Sequence, residues 1–371
     1  MRTETLYIQS VSEKETIQRV GRLLREGAIV AFPTETVYGL GAKAEKSVMA
    51  RLNHIKGRAP DKRYTLHLGS LEELSRYVPR PSFQARKLMR NTWPGPVTIV
   101  FEPDNDSLIK IKSALPAETY ELLYQDGSIG IRYPDNPVAC AVLAEAVAPI
   151  VAPSANPGSQ APAVTAQQVA AYFDGHIEMI LDAPQPCKYR LNSTVVKVGQ
   201  RLEVLREGVY TRTQILEAAS VNILFVCTGN TCRSPMAEAL CRKYFANKLN
   251  CTLDEVLNFG YSAESAGIAA SEAMPASMYA LQVSRQAGTP LERHRSRGLT
   301  ATMISRADLI FGMNQRHLQA VTDLVPQART KCFLLDESGP ITDPVGCDLG
   351  VYQACAEHIK RSLQERMNKL L

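Results

Sequence analysis

Aromatic residues are scarce in this 371-residue chain: they make up 6% of it, with a single tryptophan. Such a sequence offers no aromatic platform on which the bases of single-stranded nucleic acid would stack. No run of about 18 apolar residues is present, so a membrane-spanning helix is not expected. The opening Met1–Thr5 lacks the apolar core that a signal peptide needs. Nine cysteines occur without one C-x-x-C pair, which argues against a zinc ribbon, and their odd number argues against a complete disulfide framework. These absences lead to the expectation of a cytoplasmic protein with reduced thiols and no membrane partner. Charge asymmetry is missing too. The net charge of +5 is spread thinly, with 25 Lys+Arg against 22 Asp+Glu in residues 1–210 and 17 against 15 in the remainder. Neither half shows the concentrated basic face of a nucleic-acid binder, although a small anionic substrate needs only a few well-placed cations.

What is present is ordinary globular composition, 45% apolar and 21% charged, in a chain longer than one hydrophobic core usually serves. Ser12 and Glu15 form a capping box ahead of Ile17, Val20, Leu23 and Leu24, which share a helical face. Strand-like runs follow at Ala28–Pro33, Thr65–Gly69, Val97–Glu102, Ser128–Pro134, Ile150–Pro153 and Val195–Val198. Thr165 and Gln168 open a helix carrying Val169, Tyr172 and Phe173. The stretches around Trp93-Pro94-Gly95-Pro96 and over Ala183–Pro186 read as turns. After Arg206-Glu207-Gly208 a short segment leads to a new apolar strand, Val221–Val226, and a helical run from Pro235 to Phe245. Strand, tight loop and helix open a doubly wound α/β domain. Two domains are expected, residues 1–212 and 220–371. The closing stripe of Cys355, Ile359, Leu363, Met367 and Leu370 reads as core packing.

Between that strand and helix lies Cys227-Thr228-Gly229-Asn230-Thr231-Cys232-Arg233-Ser234, a C-x5-R loop. Backbone amides feeding a helix N-terminus form an anion cradle, and Arg233 adds a bidentate grip on phosphate oxygens. The same positive field is expected to lower the pKa of Cys227 and make it a nucleophile. Gly229 lets the backbone turn, and Ser234 before Pro235 suits a helix cap with proline in the first turn. Asp343, in Thr342-Asp343-Pro344, supplies a general acid on a proline-stiffened loop. Cys232 has two readings, a small buried residue or a resolving thiol that traps oxidised Cys227.

From Val221 onward these residues resemble the low-molecular-weight protein phosphatase family, which also shows Ser265-Ala266-Gly267, His294-Arg295-Ser296 and a late Asp343-Pro344 in this order. The resemblance implies a flavodoxin-like doubly wound parallel sheet and no cofactor. It assigns Cys227 as nucleophile, Arg233 as phosphate ligand and Asp343 as acid, with Thr228, Gly229, Asn230, Thr231, Cys232 and Ser234 as the phosphate loop. The expected partner is a phosphoprotein. Tyrosine phosphatases of the family usually carry an aliphatic residue at the place of Thr231 and an aromatic soon after the Asp-Pro pair, where Val345 and Gly346 stand here. Thr231 is instead similar to the family's protein-arginine phosphatases, so phosphoarginine is favoured over phosphotyrosine.

In the first half, the segment from Ala31 to Gly41 follows a strand with small hydroxyl residues and glycines, and reads by itself as a strand-to-helix turn. Lys56-Gly57-Arg58, with Lys62 and Arg63, forms a compact cationic group suited to a polyphosphate. Ser154-Ala155-Asn156 places hydrogen-bonding groups at the C-terminal end of a strand, where α/β ligand sites collect.

Together with His67, Trp93-Pro94-Gly95-Pro96, Arg132, Ser193-Thr194 and Arg206-Glu207-Gly208, these blocks resemble the YrdC-like threonylcarbamoyl-AMP synthases over residues 10–208. The resemblance implies a twisted open α/β sheet around a positive cavity. It implies a reaction of L-threonine, bicarbonate and ATP, with Mg2+ on the triphosphate, and a tRNA threonylcarbamoyl transferase as downstream partner. Lys56, Arg58, Lys62, Ser154, Asn156 and Arg206 would hold ATP, and Thr34, His67, Arg132 and Ser193 would surround threonine. Ala59 and Arg63 depart from the family's prolines. A different class of reading makes the first half a non-catalytic RNA-binding or regulatory module, and another makes the second half a phosphate-sensing domain.

Overall fold

The computed structural model describes residues 2–57, 59, 62–184 and 187–370. It divides into two compact units, Met1–Ala218 and Ala219–Leu371. No helix among the described residues is long and apolar enough to cross a membrane.

The first unit contains strands β1 (Glu4–Tyr7), β2 (Val30–Phe32), β3 (Gly39–Lys43), β4 (Thr65–His67), β5 (Val97–Phe101), β6 (Ile129–Arg132), β7 (Ile150–Val151), β8 (Met179–Asp182), β9 (Thr194–Val198) and β10 (Leu202–Arg206). Among the described residues they form one ten-stranded sheet in the order β1-β8-β2-β3-β7-β4-β6-β5-β9-β10. The sheet is mixed: β4 and β6 run parallel, whereas β3–β7 and β4–β7 are antiparallel. The segment after β2 does not lead into a helix, as the sequence suggested. It folds back as β3, pairing Phe32 with Gly39 and Val30 with Gly41. A Cβ on Gly41 would lie 2.5 Å from the Phe32 ring, so the tight apposition of β2 and β3 needs glycine there.

Helix Lys14–Arg25 buries Ile17, Val20 and Leu24 against Val138, Val142 and Ala146 of helix Pro137–Ala146. The expected Ser12/Glu15 capping box is not formed. Glu13 is the N-cap residue, without a side-chain cap, and its carboxylate accepts the Gln9 amide at 2.7 Å. Thr165 does cap helix Ala166–Phe173, its hydroxyl accepting the Gln168 amide at 3.2 Å. Of the expected turn over Ala183–Pro186, residues 185–186 lie outside the described residues. The expected boundary segment contains a helix, Arg212–Ala219.

The second unit is an all-parallel four-stranded sheet of β11 (Val221–Cys227), β12 (Tyr261–Gly267), β13 (Leu309–Gly312) and β14 (Cys332–Leu334), in the order β12-β11-β13-β14. The central strand is apolar because both its faces are covered. Leu224 and Val226 pack with Ile304 and Val321 of helices Ala301–Arg306 and Gln315–Leu324, while the rings of Phe225 and Phe311 stack at 5.7 Å. Helix Leu349–Leu370 buries Cys355, Ile359, Leu363 and Met367, so most of the expected stripe is indeed core.

Candidate active sites

Strand β11 ends at Cys227, and helix Arg233–Leu249 begins six residues later, with Cys232 rather than the expected Ser234 as its N-cap residue, because the helix starts one residue before Ser234. The backbone must therefore reverse within one tight loop. Asn230 makes the turn at φ +54°, a left-handed conformation that asparagine tolerates better than most residues. Its side chain is tied on both ends. Nδ2 donates to Ser234 Oγ and Ser265 Oγ, each at 2.9 Å, and Oδ1 accepts the Arg297 amide at 3.0 Å. His294 Nε2 meets the Asn230 carbonyl at 2.7 Å.

The sulfur of Cys227 accepts the Asn230 amide at 3.2 Å and lies 2.9 Å from Ser234 Oγ. Arg233 is 4% exposed; its guanidinium pairs with the Asp343 carboxylate and donates to Ile341 O at 3.3 Å. The Asp343 side chain is 46% exposed, so the acid stands at the mouth and the cation beneath it. The expected lowering of the Cys227 pKa is corrected: burial pushes the thiol up, and the Ser234 and Asn230 hydrogen bonds and Arg233 offset this only in part. Desolvation penalises the thiolate, and in this arrangement Arg233 is already paired with Asp343. Cys232 is buried, its thiol donating to Ser277 Oγ at 3.2 Å and meeting Tyr352 Oη at 3.3 Å. The Ser277 amide holds the Thr231 carbonyl at 2.9 Å.

In the first unit a cavity of about 330 Å³ is lined by Thr34, His67, Arg132, Ser154, Ser193 and Arg206. Arg132 forms a buried ion pair with Glu35 at 2.7 Å and donates to Thr36 Oγ1 at 2.7 Å. Arg206 donates to the Ser193 carbonyl at 2.8 Å and to its hydroxyl at 3.2 Å, and that hydroxyl lies 3.0 Å from Thr98 Oγ1. His67 Nδ1 sits 3.0 Å from the Thr65 carbonyl. A carbonyl only accepts, so Nδ1 carries the proton and Nε2 is an acceptor. Burial, reinforced by the Arg132 charge, pushes the His67 pKa down to about 3.

Of the remaining expected ligands, Lys56, Lys62 and Asn156 are not among the lining residues. Lys56 is buried and donates to the Ser154 and, at 2.6 Å, Asn156 carbonyls. Asn156 Oδ1 accepts the Ser154 hydroxyl at 2.6 Å. These two side chains thus brace the loop that presents Ser154. Lys62 is exposed, and Arg58 lies outside the described residues. Arg63, Tyr64, Thr98 and Lys197 also line the cavity, although the sequence reading gave only Arg63 a part, within a basic run. In the second unit the reading missed His317, whose Nε2 lies 3.1 Å from Thr228 Oγ1. Contacts across 89 residues leave no local pattern to read.

Two family models match the chain. The Sua5/YciO/YrdC model, described as telomere recombination, matches residues 22–208, and the low-molecular-weight phosphotyrosine protein phosphatase model matches residues 222–371. The threonylcarbamoyl-AMP synthase of Bacillus subtilis (strain 168) is 34% identical over 221 residues, covering 58% of this chain and 61% of that protein. The chain thus spans less than two thirds of that relative's length. The protein-arginine-phosphatase of Geobacillus stearothermophilus is 34% identical over 153 residues, covering 40% of this chain and 95% of that protein. The solved structure of P. abyssi Sua5 complexed with L-threonine shares the fold, with a TM-score of 0.51 at 22% identity over 71% of this chain and 92% of that one. The chain therefore belongs to two families in succession, the Sua5/YciO/YrdC family in its first unit and the low-molecular-weight phosphotyrosine protein phosphatase family in its second.

Proposed function

We propose that the first unit forms threonylcarbamoyl-AMP from L-threonine, bicarbonate and ATP, releasing pyrophosphate and the water lost as the carbamate forms. The threonine amine is converted to a carbamate, whose carboxylate attacks the α-phosphorus as the bond to pyrophosphate breaks. No covalent enzyme intermediate is needed, so the protein contributes positioning and charge neutralisation. Mg2+ enters with the triphosphate as part of the substrate. The reading is carried by the cavity in which Arg132, Arg206, Ser154, Ser193 and neutral His67 converge, and Lys56 and Asn156 contribute by bracing its wall. The product passes to a transferase that modifies tRNA. Pyrophosphate release that requires both threonine and bicarbonate tests the assignment; release indifferent to either rejects it.

The second unit, in the same proposal, dephosphorylates phosphoprotein. The Cys227 thiol passes its proton to an oxygen of the bound phosphoryl dianion, and the sulfur attacks phosphorus, forming an S–P bond as the bond to the departing group breaks and Asp343 protonates that group. Water then attacks the cysteinyl-phosphate, giving its proton to Asp343 and releasing phosphate. The carrying observation is one sulfur held by a loop amide and Ser234, with Arg233 and Asp343 beside it. Phosphoarginine is the favoured substrate. Thr231 occupies the loop position that is aliphatic in tyrosine phosphatases, and Val345 after the acid is exposed and not aromatic, so that position offers no ring to stack on a phenyl group. Turnover of phosphoarginine and phosphotyrosine peptides is compared for the parent and Thr231→Ile. The variant is expected to shift preference towards phosphotyrosine, and an unchanged ratio rejects the specificity assignment.

A further inference from the structure

Helix Gln315–Leu324 follows β13, and its N-cap residue, Asn314, accepts the His317 amide at 3.2 Å through its side chain. This cap fixes the first helical turn and brings His317 to the phosphate loop. The histidine is 1% exposed. Its Nε2 meets the Thr228 hydroxyl at 3.1 Å, and its Nδ1 is buried without a hydrogen-bond partner. A buried imidazole nitrogen left unpaired is unfavourable, so packing alone gives no reason for histidine here; an apolar side chain would fill the space without that penalty.

The same junction supports the far side of the loop. The Ile341 amide donates to the Met313 carbonyl at 2.8 Å, and the Ile341 carbonyl accepts Arg233 Nη1 at 3.3 Å. Thr228 is the residue after the nucleophile, and its carbonyl is already held by the Ala269 amide at 3.0 Å. With the hydroxyl also held, that residue is pinned through backbone and side chain. Burial, then Arg233, pushes the His317 pKa down to about 4, with Asp343 opposing and Arg316 adding to the fall. Near neutral pH the ring therefore adds no charge beside Arg233. A hydroxyl both donates and accepts, so it matches Nε2 in either tautomer.

We propose that His317 is a positioning residue of the phosphatase site, holding the Thr228 hydroxyl so that the loop amides after Cys227 converge on the transferred phosphoryl group. This rests on the phosphatase reading above. The test is a double-mutant cycle on the full chain with p-nitrophenyl phosphate, using Thr228→Val, His317→Leu and the pair, with melting temperatures recorded. Each single change is expected to lower kcat about tenfold or more, as a misplaced reacting geometry does, with little change in KM. The double variant should be no slower than the worse single. His317→Gln should recover most of the loss, because its amide reaches the place of Nε2. Losses that multiply in the double variant overturn the proposal. If His317→Leu does not fold, His317→Asn, whose shorter amide falls short of the Thr228 hydroxyl, takes its place in the cycle, and parent-like turnover in either single variant is equally fatal. A parent chain inactive on phosphoester removes the underlying phosphatase reading as well, whereas an active parent with independent losses removes only the role of His317.

Discussion

His67 shows how one side chain's surroundings set its chemistry. In the unfolded chain the ring titrates near 6.5; in the folded unit, burial and the neighbouring Arg132 hold it down to about 3. Below 6.5 the unfolded chain takes up a proton that the folded one refuses, so stability falls with pH. The sign is that of a depressed folded pKa: the full contribution is present above 6.5 and is lost as pH drops towards 3. The slope approaches about 1.4 kcal/mol per pH unit for this ring alone. Urea unfolding of the first unit at pH 7 and pH 4.5 should show a smaller acid loss in His67→Gln than in the parent. Equal losses would mean that the ring is protonated in both states. Cys227 gives the complementary lesson. Its place in a tight loop between a strand and a helix was legible from the C-x5-R spacing, but the direction of its pKa was not, because that direction is set by burial, which only the folded unit supplies.

At the scale of elements, what could be read was what stays local. The apolar run expected over Val97–Glu102 became β5 at Val97–Phe101, and Thr165 capped its helix as its spacing to Gln168 implied. Strand β3 escaped notice because Gly39 and Gly41 carry no side chain to register alternation; close packing on Phe32 selects Gly41, and Gly39 lies against Ala152. The same cause governs Gly208, just beyond β10. A Cβ there would lie 2.2 Å from the Asn192 carbonyl oxygen and 2.6 Å from the Ser193 carbonyl carbon. Both obstacles are backbone and cannot swing aside. The Gly208 amide also donates to Thr194 Oγ1 at 3.1 Å, which ties the end of β10 to the start of β9. Gly208→Ala must therefore push Ser193 away from Arg206, the pair that meets at one wall of the cavity. Threonine-dependent pyrophosphate release is expected to fall about tenfold or more, with phosphatase turnover as in the parent. Unaltered release would place Ser193 and Arg206 outside the reacting geometry.

At the scale of the whole molecule, each unit holds its own sheet and its own apolar cluster among the described residues. The two proposed reactions share no group: one draws on cations and hydroxyls in a mixed sheet's cavity, the other on a thiol at the end of a parallel strand. Domains with separate cores fold as units, and separate chemistry gives no reason for one half to fail without the other. Fragments 1–218 and 219–371 are accordingly expected to fold when produced separately, the first retaining threonine-dependent pyrophosphate release and the second phosphatase turnover, each near the rate of the intact chain. Circular dichroism melting distinguishes two kinds of failure. A fragment that does not melt cooperatively lacks a sufficient core of its own. A fragment that melts cooperatively yet has lost its rate shows that the other half supplies something to its chemistry, and the reading of two enzymes in tandem would then be wrong at its foundation.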